Sequence, residues 1–464
     1  MSRVFLLATN TSVEPHPVYP LGMAVVASAL TGRGHEVRQF DFLASGRSVP
    51  RLREAVAAFA PDFVGVSLRN LDDCDSLSPD AGGHLDVARE LVAALRDETA
   101  APILLGGPAL SLLPEEILDD LGADYAVVGE GEHALAGLLD ALAAGRPAAR
   151  VVAGGEPLEP AEMVSPLWNP ELIAFYCAQT GIVNYQTKRG CPHRCAYCSY
   201  PGLEGRRYRF REPVAVVDDL ERLGREQGVD TVFFTDSVFN DAQGQYLRVA
   251  EEMLRRDLRL RWAALIRPEG ISRSEFALLK RSGLEAVEFG TDAASDHTLE
   301  GLGKGFSFDD VVAANRACVE ERLPAAHFVI FGGPAETDDT VREGLDNLAR
   351  LDHCVVFAFS GIRLLPGTPL LERAVREGVI SSGAPLLRPV YYFSPGVEPE
   401  AMNRRIEAAF RGRRDRIFPP SEGVERLAVM RRFGFRGLLW DKLVSFDRPA
   451  RAPAPPTPPT GPAP

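Results

Sequence analysis

No apolar run in the 464-residue chain approaches the ~20 residues that a membrane-spanning helix needs. The opening Met-Ser-Arg-Val-Phe-Leu-Leu-Ala-Thr-Asn lacks the long apolar stretch and cleavage site of a signal peptide. It reads as a first β-strand, and the expected location is the cytoplasm. A positive surplus is also missing: the net charge of −13 argues against binding nucleic acid non-specifically. Cysteine is sparse, with seven residues, and four of them (Cys74, Cys177, Cys318, Cys354) are scattered and read as structural. What the chain does have is length for two or three domains and 45% apolar residues to fill their cores.

Residues 1–150 alternate apolar runs with helical patterns. Strands are expected at 4–8, 36–42, 63–68, 102–105 and 125–128, with helices between them. Strands separated by helices imply a parallel sheet covered on both faces, a doubly wound, Rossmann-like α/β domain. Ligands of such sheets lie beyond the carboxyl ends of the strands. Residues 151–181, rich in Pro and Gly, read as a linker. A second series follows over 182–395, with strands expected at 182–187, 231–235, 261–266, 286–290, 327–331 and 355–359. Six strand–helix units make a partial (β/α)6 barrel, whose chemistry belongs at the C-terminal ends of its strands.

The other three cysteines are concentrated directly after the first of those strands. Cys191, Cys195 and Cys198 are spaced C-x3-C-x2-C within Lys188–Pro201. Thiolates are soft ligands suited to zinc or iron–sulfur clusters. Three of them leave a four-coordinate site one ligand short. A structural zinc would be closed by a fourth protein ligand, and the nearest, His193, lies inside the first Cys–Cys interval, where the ring would have to fold back sharply. A [4Fe–4S] cluster with one open iron fits the spacing better.

The triad, with Tyr197 just before its last cysteine, resembles the signature of the radical S-adenosylmethionine (radical SAM) enzymes. The front domain is similar to the cobalamin-binding domain that precedes many of them. It shares Tyr19-Pro-Leu-Gly22, the Gly106-Gly-Pro108 turn before Leu113-Pro-Glu-Glu116, and Gly129-Glu-Gly-Glu132. The resemblance implies three cofactors: a [4Fe–4S] cluster on Cys191, Cys195 and Cys198, S-adenosyl-L-methionine, and cobalamin. For S-adenosylmethionine it implies Tyr197, then Asp236 and Ser237 after the second barrel strand, and Glu288 at the ribose. Gly332, Gly333 and Glu336, in a G-x-x-E type turn, complete that set, with Lys304 from Gly301-Leu-Gly-Lys-Gly305 facing the site. For cobalamin it implies Tyr19, Leu21, Gly22, Ser67, Asn70, Gly106, Gly107, Glu130 and Gly131. The D-x-H-x-x-G motif that supplies cobalt's lower ligand is absent, so no such ligand is expected from it. No catalytic side chain is singled out.

The activity so implied is methylation of an unactivated sp3 carbon in a lipid-like or natural-product substrate. The methyl group would travel from S-adenosylmethionine through cobalamin, and the substrate radical would be made by a 5′-deoxyadenosyl radical. A flavodoxin- or ferredoxin-type protein would supply electrons. The alternatives are a cyclase or rearrangement enzyme without net methylation, and a non-catalytic cobalamin-binding protein. An RNA methylthiotransferase would need three further cluster cysteines in front, where only Cys74 lies.

Residues 400–464 hold thirteen Lys/Arg against seven Asp/Glu. A helical region is expected over 396–448. Within it Met430–Leu443 mixes basic and large apolar residues. Packing on the open side of the barrel is the preferred reading there, ahead of peripheral contact with an anionic membrane. A disordered tail is expected over 449–464.

Overall fold

The computed structural model describes residues 1–13, 16–78 and 83–446, so the expected tail at 449–464 lies outside the described residues. The first sheet has six parallel strands in the order 36–41, 3–8, 63–67, 103–106, 125–128 and 151–153. Helices cover both faces, so strand Arg3–Ala8 buries five consecutive residues instead of alternating. The strand order reverses between 3–8 and 63–67, and the loops that leave those two strands border a crevice at the carboxyl edge. The sixth strand, Val151–Ala153, corrects the reading of 151–181 as a plain linker. That stretch also holds a helix, Pro170–Gln179, capped by the Asn169 side chain.

The second sheet is an open barrel of seven parallel strands in sequential order: 183–185, 231–234, 261–266, 284–292, 325–331, 354–360 and 416–417. Six match the expected units. The seventh, Arg416–Ile417, comes from the region expected to be helical and corrects that expectation; helices Pro399–Phe410 and Pro420–Arg432 flank it. Phe418–Pro419 is a cis peptide. Leu427 packs with Phe357 and Ile417 inside the barrel, while Phe433, 79% exposed, points outward beside Arg432. Among the described residues no helix is long and apolar enough to cross a membrane.

A buried aromatic chain joins the two sheets. Tyr19 packs against Trp168 and Tyr176, and Trp168 against Tyr185 of the first barrel strand, at centroid distances of 5.4–6.4 Å. Tyr176 donates its hydroxyl proton to Asp41 at 2.8 Å. Burial raises the Asp41 carboxyl above its ordinary range, opposed by its hydrogen bonds.

Candidate active site at the barrel mouth

The first barrel strand runs into a two-residue pairing, Lys188–Arg189 with Arg209–Phe210, and the cysteine loop lies between those partners. Backbone bonds pin the loop. Cys191 N–H donates to Gly205 O (3.1 Å), Ala196 N–H to Leu302 O (2.8 Å), and Leu370 N–H to Ala196 O (2.8 Å). Gly190 has φ +82°, and a Cβ there would stand 2.0 Å from Arg207 O, so only glycine can start the loop. Its N–H is held by Glu204 Oε2 at 3.1 Å.

The three thiols are free, Cys191 buried and the others half-buried. Burial pushes the Cys198 thiol up to about 12, and the neighbouring Cys195 and Cys191 raise it further while Lys304 opposes them. Burial likewise raises Cys191. Thiols that oppose one another's ionisation are relieved when bound metal supplies positive charge. Among the described residues no three His, Cys, Asp or Glu side chains gather about one metal-ion position. The donor set fits a cluster of several irons, each thiol taking its own.

Tyr197 donates to Asp292 Oδ2 at 2.5 Å, and the Lys304 ammonium bonds the same oxygen. Burial works against the Lys304 charge, but Asp292 and Cys195 outweigh it and the pKa is raised. Lys304 therefore stays cationic beside the thiols. Its loop, 301–305, packs on the cysteine loop, where a Cβ at Gly303 would meet Arg194 O at 2.8 Å.

Several residues expected at S-adenosylmethionine have partners within the protein. Asp236 accepts from Thr187 N (2.7 Å), Thr187 Oγ1 (2.5 Å) and Lys188 N (3.2 Å), so it anchors the strand that enters the cysteine loop. Ser237 donates to Glu204 at 3.2 Å. Glu336 accepts from Gly332 N and Gly333 N, folding its carboxylate back on its own turn. A Cβ at Gly332 would meet Phe393 at 2.8 Å, and one at Gly333 would meet Thr298 at 3.2 Å. The position of Gly332, at φ +90° and with this contact, is confined to glycine, while Gly333 is closely packed. Glu288 lies in the middle of strand Leu284–Asp292, where Trp440 donates its indole N–H at 3.0 Å. That partner belongs to the C-terminal segment under the barrel and places Glu288 deep in the lumen.

The cobalamin assignments divide in the same way. Tyr19 is 1% exposed and embedded in the aromatic chain, its hydroxyl accepting from Asn169 N at 3.3 Å. Glu130 is paired with the barrel: Arg209 binds it through both guanidinium nitrogens (2.9 and 2.7 Å), Arg189 approaches to 3.1 Å, and Leu158 N–H donates at 2.7 Å. Burial raises its carboxyl, but Arg209 and Arg189 prevail and the pKa is lowered. Gly131 opens the helix after it, where a Cβ would meet Val26 at 3.2 Å. Leu21 and Gly22 start the first helix, and Ser67 and Asn70 stand at the end of the third strand. Cβ positions at Gly22, Gly106 and Gly129 meet nothing within 4 Å, whereas one at Gly107 (φ +101°) would strike Leu68 O at 2.5 Å. The carboxyl edge of the front sheet thus has open space at three glycines, which fits a large flat group approached by backbone. The helix after this glycine turn, Pro108–Leu112, packs against Tyr200–Leu203, which follows Cys198.

Sequence reasoning passed over Glu204, Arg189, Arg209, Asn184, His16, Arg69 and Trp440. Arg209 had a signal, the basic run Arg206–Arg211 beside the cysteine loop. Glu204, Arg189 and Trp440 owe their roles to partners distant in sequence. Burial lowers the His16 pKa to about 4, with Arg431 and Arg69 lowering it further, so the ring is neutral where it meets Phe233 of the barrel.

Comparison with known proteins finds two family matches along the chain. The B12 binding domain family matches residues 10–139, and the Radical SAM superfamily matches residues 185–348. The chain is 26% identical to the tryptophan 2-C-methyltransferase of Streptomyces laurentii over 78% of this chain and 72% of that protein. It is 25% identical to the anaerobic magnesium-protoporphyrin IX monomethyl ester cyclase of Rubrivivax gelatinosus, over 70% and 60%. Among solved structures it is similar to the radical S-adenosylmethionine methyltransferase TsrM of Kitasatospora setae with cobalamin and a [4Fe–4S] cluster bound. The TM-score is 0.82 at 25% identity, covering 96% of this chain and 97% of that one.

Proposed function

Because this chain belongs to the radical SAM enzymes that carry a cobalamin-binding domain in front of the barrel, we propose that it transfers a methyl group to a carbon of an apolar small molecule. The reading taken is an unactivated sp3 carbon of a lipid-like or natural-product substrate, in a cytoplasmic enzyme reduced by a flavodoxin- or ferredoxin-type protein. One observation carries it: the glycine-lined edge of the front sheet packs, through helix Pro108–Leu112, against the segment that follows Cys198. When bound, the cluster, S-adenosylmethionine and cobalamin supply an electron, a radical source and a methyl carrier.

The chain's own residues hold and orient. Cys191, Cys195 and Cys198 would ligate the cluster, and Lys304 keeps a positive charge beside them, fixed by Asp292 and Tyr197. Gly22, Gly106 and Gly129 would let a corrin lie against backbone. Arg189, adjacent to the loop's first glycine, ties to Glu130 and Glu132 of the front domain and keeps the two sites in register. The Arg432–Arg436 turn, with Phe433 and Phe435 exposed, is the surface through which peripheral contact with an anionic membrane would be made.

The test is anaerobic reconstitution with iron, sulfide and hydroxocobalamin, then incubation with S-adenosylmethionine bearing a trideuterated methyl group and a panel of apolar substrates. Transfer of the labelled methyl to carbon, with 5′-deoxyadenosine formed, is expected. A product lacking the label would instead support ring closure or rearrangement, the reading that the similarity to the cyclase favours.

A further inference from the structure

The short ladder that brackets the cysteine loop has two faces with different tasks. Arg189 and Arg209 pair in register and turn to the front domain, where both meet Glu130. Lys188 pairs with Phe210 on the opposite face, and one further step of that register sets Tyr208 across from Gly190, beside Cys191. The backbone there is tight. Cys191 N–H donates to Gly205 O at 3.1 Å, and the Cβ that Gly190 lacks would stand 2.0 Å from Arg207 O. The Lys188 ammonium lies 5.4 Å from the centre of the Tyr208 ring, 5.7 Å from that of Phe210 and 5.5 Å from that of Phe239. The ring of His193, within the cysteine loop itself, meets Tyr208 edge-on at a centroid distance of 6.4 Å.

The Tyr208 ring is therefore held on several sides, but its hydroxyl is not used. The phenolic oxygen is buried and has no hydrogen-bond partner among the described residues. The Lys188 ammonium beside the ring is already bonded to Phe239 O and Asp241. Tyr197, inside the triad, already donates to Asp292. A buried hydroxyl left unpaired is costly, so its acceptor is expected from a bound group. A phenol keeps its proton at neutral pH and can donate. Cys191 lies within its electrostatic reach: after burial, that thiol is the next cause raising the phenol's pKa.

We infer that Tyr208 donates its phenolic hydrogen to sulfur at the Cys191 corner of the [4Fe–4S] cluster, and so sets how readily the cluster takes up its electron. The inference rests on the cluster and not on the methyl-transfer reading. Hydrogen bonds to the sulfurs are one of the means by which a protein sets a cluster's potential. When a one-electron donor of low potential reduces the cluster, the added negative charge spreads onto its sulfurs, and a hydrogen bond to one of them strengthens. No proton moves, and no bond to iron forms or breaks. The hydroxyl thus favours the reduced form, and its loss lowers the potential. The cage around Lys188 needs only the ring, so ring and hydroxyl have separable roles.

The test is an anaerobic redox titration of the reconstituted full chain with titanium(III) citrate, S-adenosylmethionine left out, read by the electron paramagnetic resonance of the reduced cluster. Wild type, Tyr208→Phe and Phe210→Leu are compared. Tyr208→Phe should make electron uptake about tenfold less favourable, a potential lower by about 59 mV for a one-electron couple. Its iron should stay at about four per chain. Phe210→Leu thins the same cage around Lys188 and should leave the potential in place. In the cofactor-free protein Tyr208→Phe removes an unpaired hydroxyl, so the denaturant midpoint should not fall. An unchanged potential in Tyr208→Phe overturns the proposal. So does an equal shift in Phe210→Leu, which would assign the effect to the cage. A cofactor-free Tyr208→Phe that unfolds earlier overturns it as well, because the hydroxyl would then have a protein partner. Wild-type chain that takes up no iron overturns the cluster itself, and methyl transfer enters none of these measurements.

Discussion

The front sheet and the barrel prepare for their ligands in opposite ways. At the carboxyl edge of the front sheet Tyr19 is occupied by its aromatic neighbours and Glu130 by Arg209 and Arg189. Bare backbone is open there at Gly22, Gly106 and Gly129, and Asn10 Nδ2 is buried without a partner among the described residues. In the barrel the backbone is consumed by strand pairing, and what remains is side chain: three thiols at the mouth, and an unpaired acceptor in the lumen. Bare backbone suits close approach by a broad, flat group, whereas a small inorganic centre needs individual donor atoms. That difference predicts different failures on substitution.

The largest effect belongs to the side-chain type. Cys195→Ala should reduce iron from about four per chain to below about one, with loss of the visible cluster absorbance, while cobalt uptake persists. The backbone type breaks through strain. Gly107→Ala adds a Cβ against Leu68 O at positive φ, and should cost about 2–4 kcal/mol in denaturant unfolding as well as cobalamin uptake. Gly106→Ala sharpens the contrast, since its Cβ meets open space. Stability should change by less than about 0.5 kcal/mol while cobalamin affinity, read by spectral titration, falls about tenfold. An unchanged affinity there would mean that the open edge is not the cradle. Glu130→Gln leaves the buried Arg209 guanidinium without its counter-charge, while Arg189 keeps Glu132, and should cost about 3 kcal/mol in thermal or denaturant unfolding, with little change in cobalamin affinity.

The smallest effect is a pH dependence. Burial raises the Glu336 carboxyl to about 7, against the opposing hydrogen bonds from Gly332 and Gly333, from an ordinary 4.5. The folded state therefore holds this proton more tightly than the unfolded one. The associated stability is present in full below about 4.5 and is lost as pH rises through about 7, on the order of 1–3 kcal/mol. Unfolding midpoints of the cofactor-free protein between pH 4.5 and 7.5 should fall, and Glu336→Gln should flatten part of that slope. A slope identical in the variant removes Glu336 as its source.

Much of this site was legible from the chain because its signals are local. C-x3-C-x2-C fixes three donors within eight residues, and Lys304 sits in a glycine loop whose packing on the cysteine loop follows from barrel geometry. Asp236 and Glu130, expected at the cofactors, have protein partners that lie far away in sequence. Asp236 is bound by Thr187 and Lys188, 49 and 48 residues distant, and Glu130 by Arg209, 79 residues distant. A polar residue near a strand end looks alike in sequence whether it faces a ligand or a backbone N–H of the next strand. The C-terminal region misled for a related reason. The two residues of Arg416–Ile417 have no periodicity to display, and only an unpaired barrel edge makes them a strand.

The sequence by itself determined the two α/β units, their order, and the thiol triad after the first barrel strand, because hydrophobic periodicity and ligand spacing act over a few residues. Tertiary structure alone decided which polar groups are satisfied by the protein and which are left facing space. Trp440 reaches Glu288 across 152 residues, and Asn184 Oδ1 is left without a partner. Hydrogen-bond satisfaction depends on the completed packing around each atom, which no local pattern encodes.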